Sequence, residues 1–292
     1  MSASPLRQPV RRGLELLREI EERPAPAPVL WWLGHCGFVI KYESSIIYVD
    51  PYLSNSQEER YRRSGPPHPR LTAAPLHPAM VRHASLVLAT HAHQAHLDPG
   101  TAPAILAASP RARLVLPRSA AGRAHMMGID YLRMTTMDAG QRLEFVGAEG
   151  ETVLIDAIAS AHESLDWSER DGHPYLGYIL RMGDHAIYHA GDCAPYEGLA
   201  EQLRPHRIDL ALLPVNGRDA SWGMPGNFTI AEAAALAEEA GIGCLAPMHY
   251  GMFAVNDVDP DRFVDHLLGH RPSVRFKIFE CGEGWALPDQ EG

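Results

Sequence analysis

Three histidines at positions 91, 93 and 96 are the residues whose types and spacing speak most directly of chemistry. They sit in Thr90-His91-Ala92-His93-Gln94-Ala95-His96-Leu97-Asp98, an H-x-H-x-x-H run that follows the apolar stretch Leu86-Val87-Leu88-Ala89. Imidazole is the commonest protein ligand for zinc-like ions. A strand ending in a tight loop can aim three such rings at one point, so the run reads as a metal site. Further candidate donors also follow apolar runs: His162 after residues 155–158, Asp192 after residues 186–191, and His249 after residues 245–248. Taken alone, His162 or His249 is ordinarily a surface group or a satisfied core residue. The recurrence of strand then polar donor is what a sheet edge needs to gather distant residues into one cluster.

Other residues have two readings each. His35 and Asp50 follow strand-like runs at the same edge, as supports for a ligand or, for Asp50-Pro51, as a simple turn. Asp98 reads as a hydrogen-bond partner that orients a ligand histidine, since such partners fix the ring. Arg218, in the loop Asn216-Gly217-Arg218-Asp219, is either a bidentate partner for a substrate phosphate or carboxylate or one half of a structural salt bridge. Asn216, Tyr250, Asn227 and Asn256 are candidate polar groups of a pocket. Met126, Met127, Met252 and Phe253 read as packing residues.

The elements that must position these groups follow from apolar periodicity. Residues 8–22 predict an amphipathic helix, docked on the main body, and Pro24-Ala25-Pro26-Ala27-Pro28 a stiff linker. Strands are predicted over 29–33, 38–42 and 46–49. Residues 54–79 are polar and proline-rich and read as a long irregular loop of the kind that is often functional. From residue 85 strands and helices alternate. Strands are expected over 85–89, 112–117, 142–145, 152–158, 175–182, 186–189, 210–213, 244–246 and a terminal 275–278. Helices are expected over 101–108, 118–127, 196–203, 230–240 and 260–270. The pattern places sheets in the middle and helices outside. The organisation is residues 1–28 as helix and Pro/Ala linker, then one domain over 29–292.

With 292 residues, 46% apolar and 21% charged, the composition is that of a globular protein. A formal net charge of −10 argues against nonspecific binding to nucleic acid or an anionic membrane. Cys36, Cys193, Cys244 and Cys281 are widely spaced with no C-x-x-C pair, as for free thiols in a reducing cytosol. Nothing resembles a secretory leader or a run of roughly 18 apolar residues, so a cytoplasmic protein is expected. G-x-S-x-G, a P-loop and a G-x-G-x-x-G after a strand are all absent, which removes support for serine-hydrolase, nucleotidase and dinucleotide readings.

The order His91-x-His93-x-x-His96, His162, Asp192 within Tyr188-His189-Ala190-Gly191-Asp192, then His249 resembles the metallo-β-lactamase superfamily. The stretches Trp32-Leu33-Gly34-His35-Cys36-Gly37, Val49-Asp50-Pro51, Leu213-Pro214-Val215-Asn216-Gly217-Arg218-Asp219 and His249-Tyr250-Gly251-Met252-Phe253 are similar to the branch related to ascorbate-6-phosphate lactonase. The resemblance covers about residues 29–285. It implies an α/β fold, a four-layer αβ/βα sandwich. It also implies one or two divalent ions of the zinc or manganese type: His91, His93 and His162 on one, His96 and His249 on the other, Asp192 bridging. A hydroxide held there would attack an ester, lactone or phosphoester of a small polar metabolite. A phosphodiester or amide is the nearest alternative substrate, and a homo-oligomer is a further expectation. The chain departs from the family signature at one place. Ala95 stands where that signature has an aspartate that ligates the second metal and orients the water. Three explanations compete: an engineered Asp-to-Ala change, a natural enzyme with one metal and another base, or a noncatalytic ligand-binding pseudoenzyme.

Overall fold

The computed structural model describes residues 6–62, 68–219, 221 and 226–288. Parts of the segments 1–28, 54–79 and 216–228, and the last residues of the 29–292 region, therefore lie outside the described residues.

The first half of the chain runs α1 (Gly13–Glu22), β1 (Val29–Gly34), β2 (Gly37–Tyr42), β3 (Ser45–Val49), α2 (Ser56–Tyr61), β4 (Leu86–Leu88), α3 (Ala102–Ala108), β5 (Arg113–Pro117), α4 (Ala121–Met126) and β6 (Met134–Met137). The second runs β7 (Arg142–Val146), β8 (Thr152–Ala159), β9 (Leu176–Met182), β10 (His185–His189), α5 (Leu199–Leu203), β11 (Leu210–Pro214), α6 (Ile230–Ala240), β12 (Cys244–Met248), α7 (Pro260–His270) and β13 (Gly284–Ala286). Two mixed sheets result, ordered β13-β1-β2-β3-β4-β5-β6 and β12-β11-β10-β9-β8-β7. Each pairs antiparallel at one end and parallel at the other: β1 to β3 antiparallel then β3 to β6 parallel, and β7 to β10 antiparallel then β10 to β12 parallel.

Side-chain alternation builds the layers. In β1, Leu30 and Trp32 face the core shared with the second sheet, while Val29, Trp31 and Leu33 face the outer core. In β3 the pairs are Ile47 and Val49 inward, Ile46 and Tyr48 outward. The outer core is closed by Leu16, Leu17 and Ile20 of α1 and by α3 and α4. Over the second sheet, α6 packs Ala233, Ala234, Leu236 and Ala237, and α7 adds Phe263 and Leu267. Thr229 and Glu232 close a capping box at the start of α6.

Four expectations change. The helix over 8–22 begins only at Gly13. Residues 54–79 are not wholly irregular, because α2 forms within them. Residues 275–278 make only an isolated bridge, Leu245 to Phe276, and the terminal strand is Gly284–Ala286 on β1. There Gly284 has no room for a side chain, since a Cβ would lie 2.3 Å from Trp31 Nε1. Met126 does not pack; it is 82% exposed.

Candidate metal centre

Strands β1, β3, β4, β8, β10 and β12 each end within three residues of a candidate donor: His35, Asp50, His91, His162, Asp192 and His249. Ligand sites at the carboxyl ends of strands are the rule for α/β sheets, because the backbone leaves the sheet there and frees side chains to converge. The exits are sharp. His35, Asp50 and His249 hold positive φ of 56°, 44° and 66°, which is costly for residues with a Cβ and is concentrated at functional sites. Gly191, also at positive φ, packs so tightly on Thr90 that a Cβ would lie 2.7 Å from the threonine Cβ.

The structure gathers all six sequence-identified donors. Asp192 is central and buried. Its Oδ2 lies 3.8 Å from His91 Nε2, 3.3 Å from His96 Nε2 and 3.6 Å from His162 Nε2, and its Oδ1 lies 3.6 Å from His249 Nε2. The donors form two groups around it: His91, His93, His162 and Asp192, and His35, Cys36, His96 and His249. Within each group the donor atoms lie within 4.8 Å of one another.

Asp50 orients both groups. Its Oδ1 accepts from the Thr90 N–H at 2.8 Å, and its Oδ2 accepts from Thr90 Oγ1 at 2.6 Å and lies 2.7 Å from His96 Nδ1. Since the Thr90 hydroxyl proton goes to Asp50, Thr90 Oγ1 accepts from His91 Nδ1 at 3.0 Å. His91 Nε2 is thereby left as a buried lone pair with no hydrogen-bond partner. His35 Nδ1 and His162 Nδ1 are likewise buried without partners.

Electrostatics test the fit to a cation. Burial raises the Asp192 carboxyl, but His96 and His249 outweigh it and hold the group well below the usual carboxylate range. Burial lowers His96, yet the Asp192 and Asp50 carboxylates push it up to about 10. Two carboxylates facing one buried imidazole thus favour positive charge at this point. Most Asp192 contacts are too long for good hydrogen bonds. Nitrogen lone pairs and a carboxylate facing one another at such separations suit a divalent ion. The donor set fits the group.

Several sequence expectations are corrected. Asp98 orients no histidine. Its Oδ1 accepts from Ser54 Oγ, Ser56 Oγ and the Gly100 N–H, and its Oδ2 from Thr101 Oγ1, so it ties α2 to the start of α3. Arg218 pairs with Glu232 and donates to the Asn227 carbonyl, the salt-bridge alternative. Asn216 accepts from Asn227 Nδ2. Tyr250 donates to the Phe279 carbonyl at 2.7 Å and its ring lies against Trp32. None of Arg218, Asn216, Tyr250 or Asn227 lines the cavity over the donors; Asn256 does.

That cavity, about 260 Å³, is walled by members of both donor groups other than His91 and Cys36, by Gln57, Arg60 and Tyr61 of α2, and by Gln94, Ala95 and Phe253. Ala95 is buried in a small apolar cluster with Tyr52, Met252 and Phe253. Sequence reasoning missed Cys36, whose Sγ lies 3.8 Å from Asp192 Oδ1; its place beside His35 was the available signal. It also missed Tyr175, whose ring packs on His91, His93 and His162, and Arg60. Nothing in the sequence marked those two.

Known proteins resemble the chain over most of its length. A UPF0173 metal-dependent hydrolase of Myxococcus xanthus is 28% identical over 266 residues, covering 89% of this chain and 83% of that protein. Another, from Pyrococcus horikoshii, is 29% identical over 249 residues, covering 83% and 93%. Igni18, a metallo hydrolase of Ignicoccus hospitalis, shares the fold with a TM-score of 0.65 at 22% identity, over 89% of this chain and 98% of its own. Residues 46–250 match the family model described as a beta-lactamase superfamily domain. That span takes in Asp50, the three histidines of the 91–96 loop, His162, Asp192 and His249, on two mixed sheets, and the chain belongs to the metallo-β-lactamase superfamily.

Proposed function

We propose that this chain is a metal-dependent hydrolase of a small polar metabolite, cleaving an ester, lactone or phosphoester. The observation that carries this is the Asp192 carboxylate set among the imidazoles of His91, His96, His162 and His249, with buried ring nitrogens unpartnered. Family membership and relatives named metal-dependent hydrolases support it. In this reading His91, His93 and His162 would hold one zinc- or manganese-type ion and His96 and His249 a second, with Asp192, between the two groups, a donor to both. Such ions supply Lewis acidity, polarising a carbonyl or phosphoryl oxygen and acidifying water. The chain's own residues position the reactants. Asp50 fixes the rings of His96 and, through Thr90, His91. Phe253 and Ala95 exclude water from one wall. Arg60 offers a planar cation to an anionic group of the substrate.

Ala95 supplies neither a ligand nor a proton acceptor, and Asp192 is the only carboxylate among the described residues lining the cavity. Turnover is therefore expected to be slow. Ala95→Asp is expected to gain about 100-fold or more on a panel of lactones, carboxylic esters and phosphoesters. The same residue motivates a second reading, a noncatalytic ligand-binding protein, and no gain on any linkage would favour it. Elemental analysis of the chain and of His91→Ala tests the ligands; unchanged metal content in His91→Ala would sink the assignment of the first ion.

A further inference from the structure

The loop that carries His91, His93 and His96 gives the second donor group one imidazole and, at position 95, only a methyl group. That group is nevertheless not short of donors. His35, from the turn between β1 and β2, has a donor atom within 4.8 Å of those of His96 and His249. Its ring centroid lies 4.0 Å from that of His249 and 5.2 Å from that of His96. The residue is 2% exposed and lines the cavity. Its Nδ1 is buried and has no hydrogen-bond partner, a costly state that native proteins keep where an ion or water completes it.

The backbone holds the ring in this place at some expense. His35 takes φ of 56°, and its carbonyl accepts from Trp32 Nε1 at 3.0 Å and from the His249 N–H at 3.1 Å. The last bond ties the two histidines to each other at their backbones. The edge of the ring packs on Phe253, which also packs on Ala95.

We infer that His35 is a ligand of the second metal ion, so that His35, His96, His249 and Asp192 Oδ1 form a site in which an imidazole does the work of a carboxylate at position 95. The inference rests on the two-ion reading proposed above. It has a chemical consequence. A neutral ring in place of an anionic oxygen leaves more positive charge on the ion and shifts the donor set toward nitrogen. Such a set favours zinc-class over magnesium- or manganese-class ions and suits an anionic substrate group.

The test is metal stoichiometry and affinity on the full chain, by elemental analysis and by competition of Zn²⁺ against a chromophoric chelator. His35→Gly is the informative variant, because glycine adopts the positive φ freely and the backbone is kept. Cys36→Ala controls for the neighbouring thiol. Two equivalents are expected in the unaltered chain and in Cys36→Ala. His35→Gly is expected to keep one and to bind the other more than about 100-fold more weakly, a larger loss than removal of an outer partner causes. Free imidazole is expected to restore the second equivalent, which a merely structural role would not allow. His35→Gly holding two ions at unchanged affinity overturns the inference and leaves the hydrolase reading intact. So does a single equivalent in the unaltered chain, or loss of the second ion in Cys36→Ala alone. No ion in the unaltered chain overturns the metal-dependent reading itself.

Discussion

Asp50 shows how much of the centre one buried carboxylate can organise. It sets the His96 ring directly and the His91 ring through the Thr90 hydroxyl, so it reaches both donor groups. Asp50→Asn keeps the shape and tolerates φ of 44°, but places an amide where an anion accepted. It is expected to weaken both ions by about 10- to 100-fold in a chelator competition; weakening confined to the second ion would show that Thr90 orients His91 unaided. Arg60→Ala is expected to raise KM for anionic substrates about 10-fold, with kcat and the KM of neutral esters nearly unchanged. An equal loss on neutral substrates would count against a charge-recognition role. At this scale the sequence was most legible where donors are consecutive. The 91–96 run announces itself because a short loop cannot carry its rings far apart. Asp98 misled for the same reason: adjacency in sequence suggested a partner for a histidine, whereas the chain has already turned toward α3. Arg60 and Tyr175 were invisible, because their closeness to the donors exists only after folding.

Among the elements, α1 shows how a short helix is fastened. Leu16, Leu17 and Ile20 are buried against the outer face of the first sheet. The buried ammonium of Lys41, from β2, donates to the carbonyls of Ile20, Glu21 and Arg23 at 2.9, 2.7 and 2.8 Å. A cation at a helix C-terminus meets the negative end of the dipole and satisfies carbonyls that no intrahelical donor reaches. Lys41→Met keeps the stem and removes the donor. It is expected to cost about 2 to 3 kcal/mol in urea unfolding, and a change under about 0.5 kcal/mol would mean that water replaces the ammonium. Most strands and the long helices were readable from their apolar periods, as over Ile230–Ala240, but β6, with two threonines between its methionines, was not. The six residues of α2 were not: they bury only Ser56 and show no apolar face. Three-residue β13 was hidden by its glycine and its shortness, and 275–278, where Phe276 and Ile278 alternate with charged residues, drew the assignment instead.

At the scale of the molecule the donors are shared between the sheets. His35, Asp50 and the 91–96 loop come from the first, His162, Asp192 and His249 from the second. Bound ions would therefore add to the apolar core and to the hydrogen bonds that already join the two layers, such as Tyr178 Oη to the Ala89 carbonyl and the His249 N–H to the His35 carbonyl. Each site saturated at 100 times its Kd adds about 2.7 kcal/mol to the folded state. Chelation is expected to lower the thermal midpoint by several degrees, and equal midpoints with and without chelator would mean that the ions contribute nothing to the union of the halves. The first sheet has another debt to the far end of the sequence. Val29, Leu30 and Trp31 pair with Ala286, Trp285 and Gly284. On the ribosome, β1 must therefore wait, its hydrogen-bonding edge open and its side chains apolar, until the whole second sheet has been synthesised. An open apolar edge is a template for pairing with other chains. The hazard for this protein thus lies in its nascent state, and slow elongation between β12 and β13 would lengthen it.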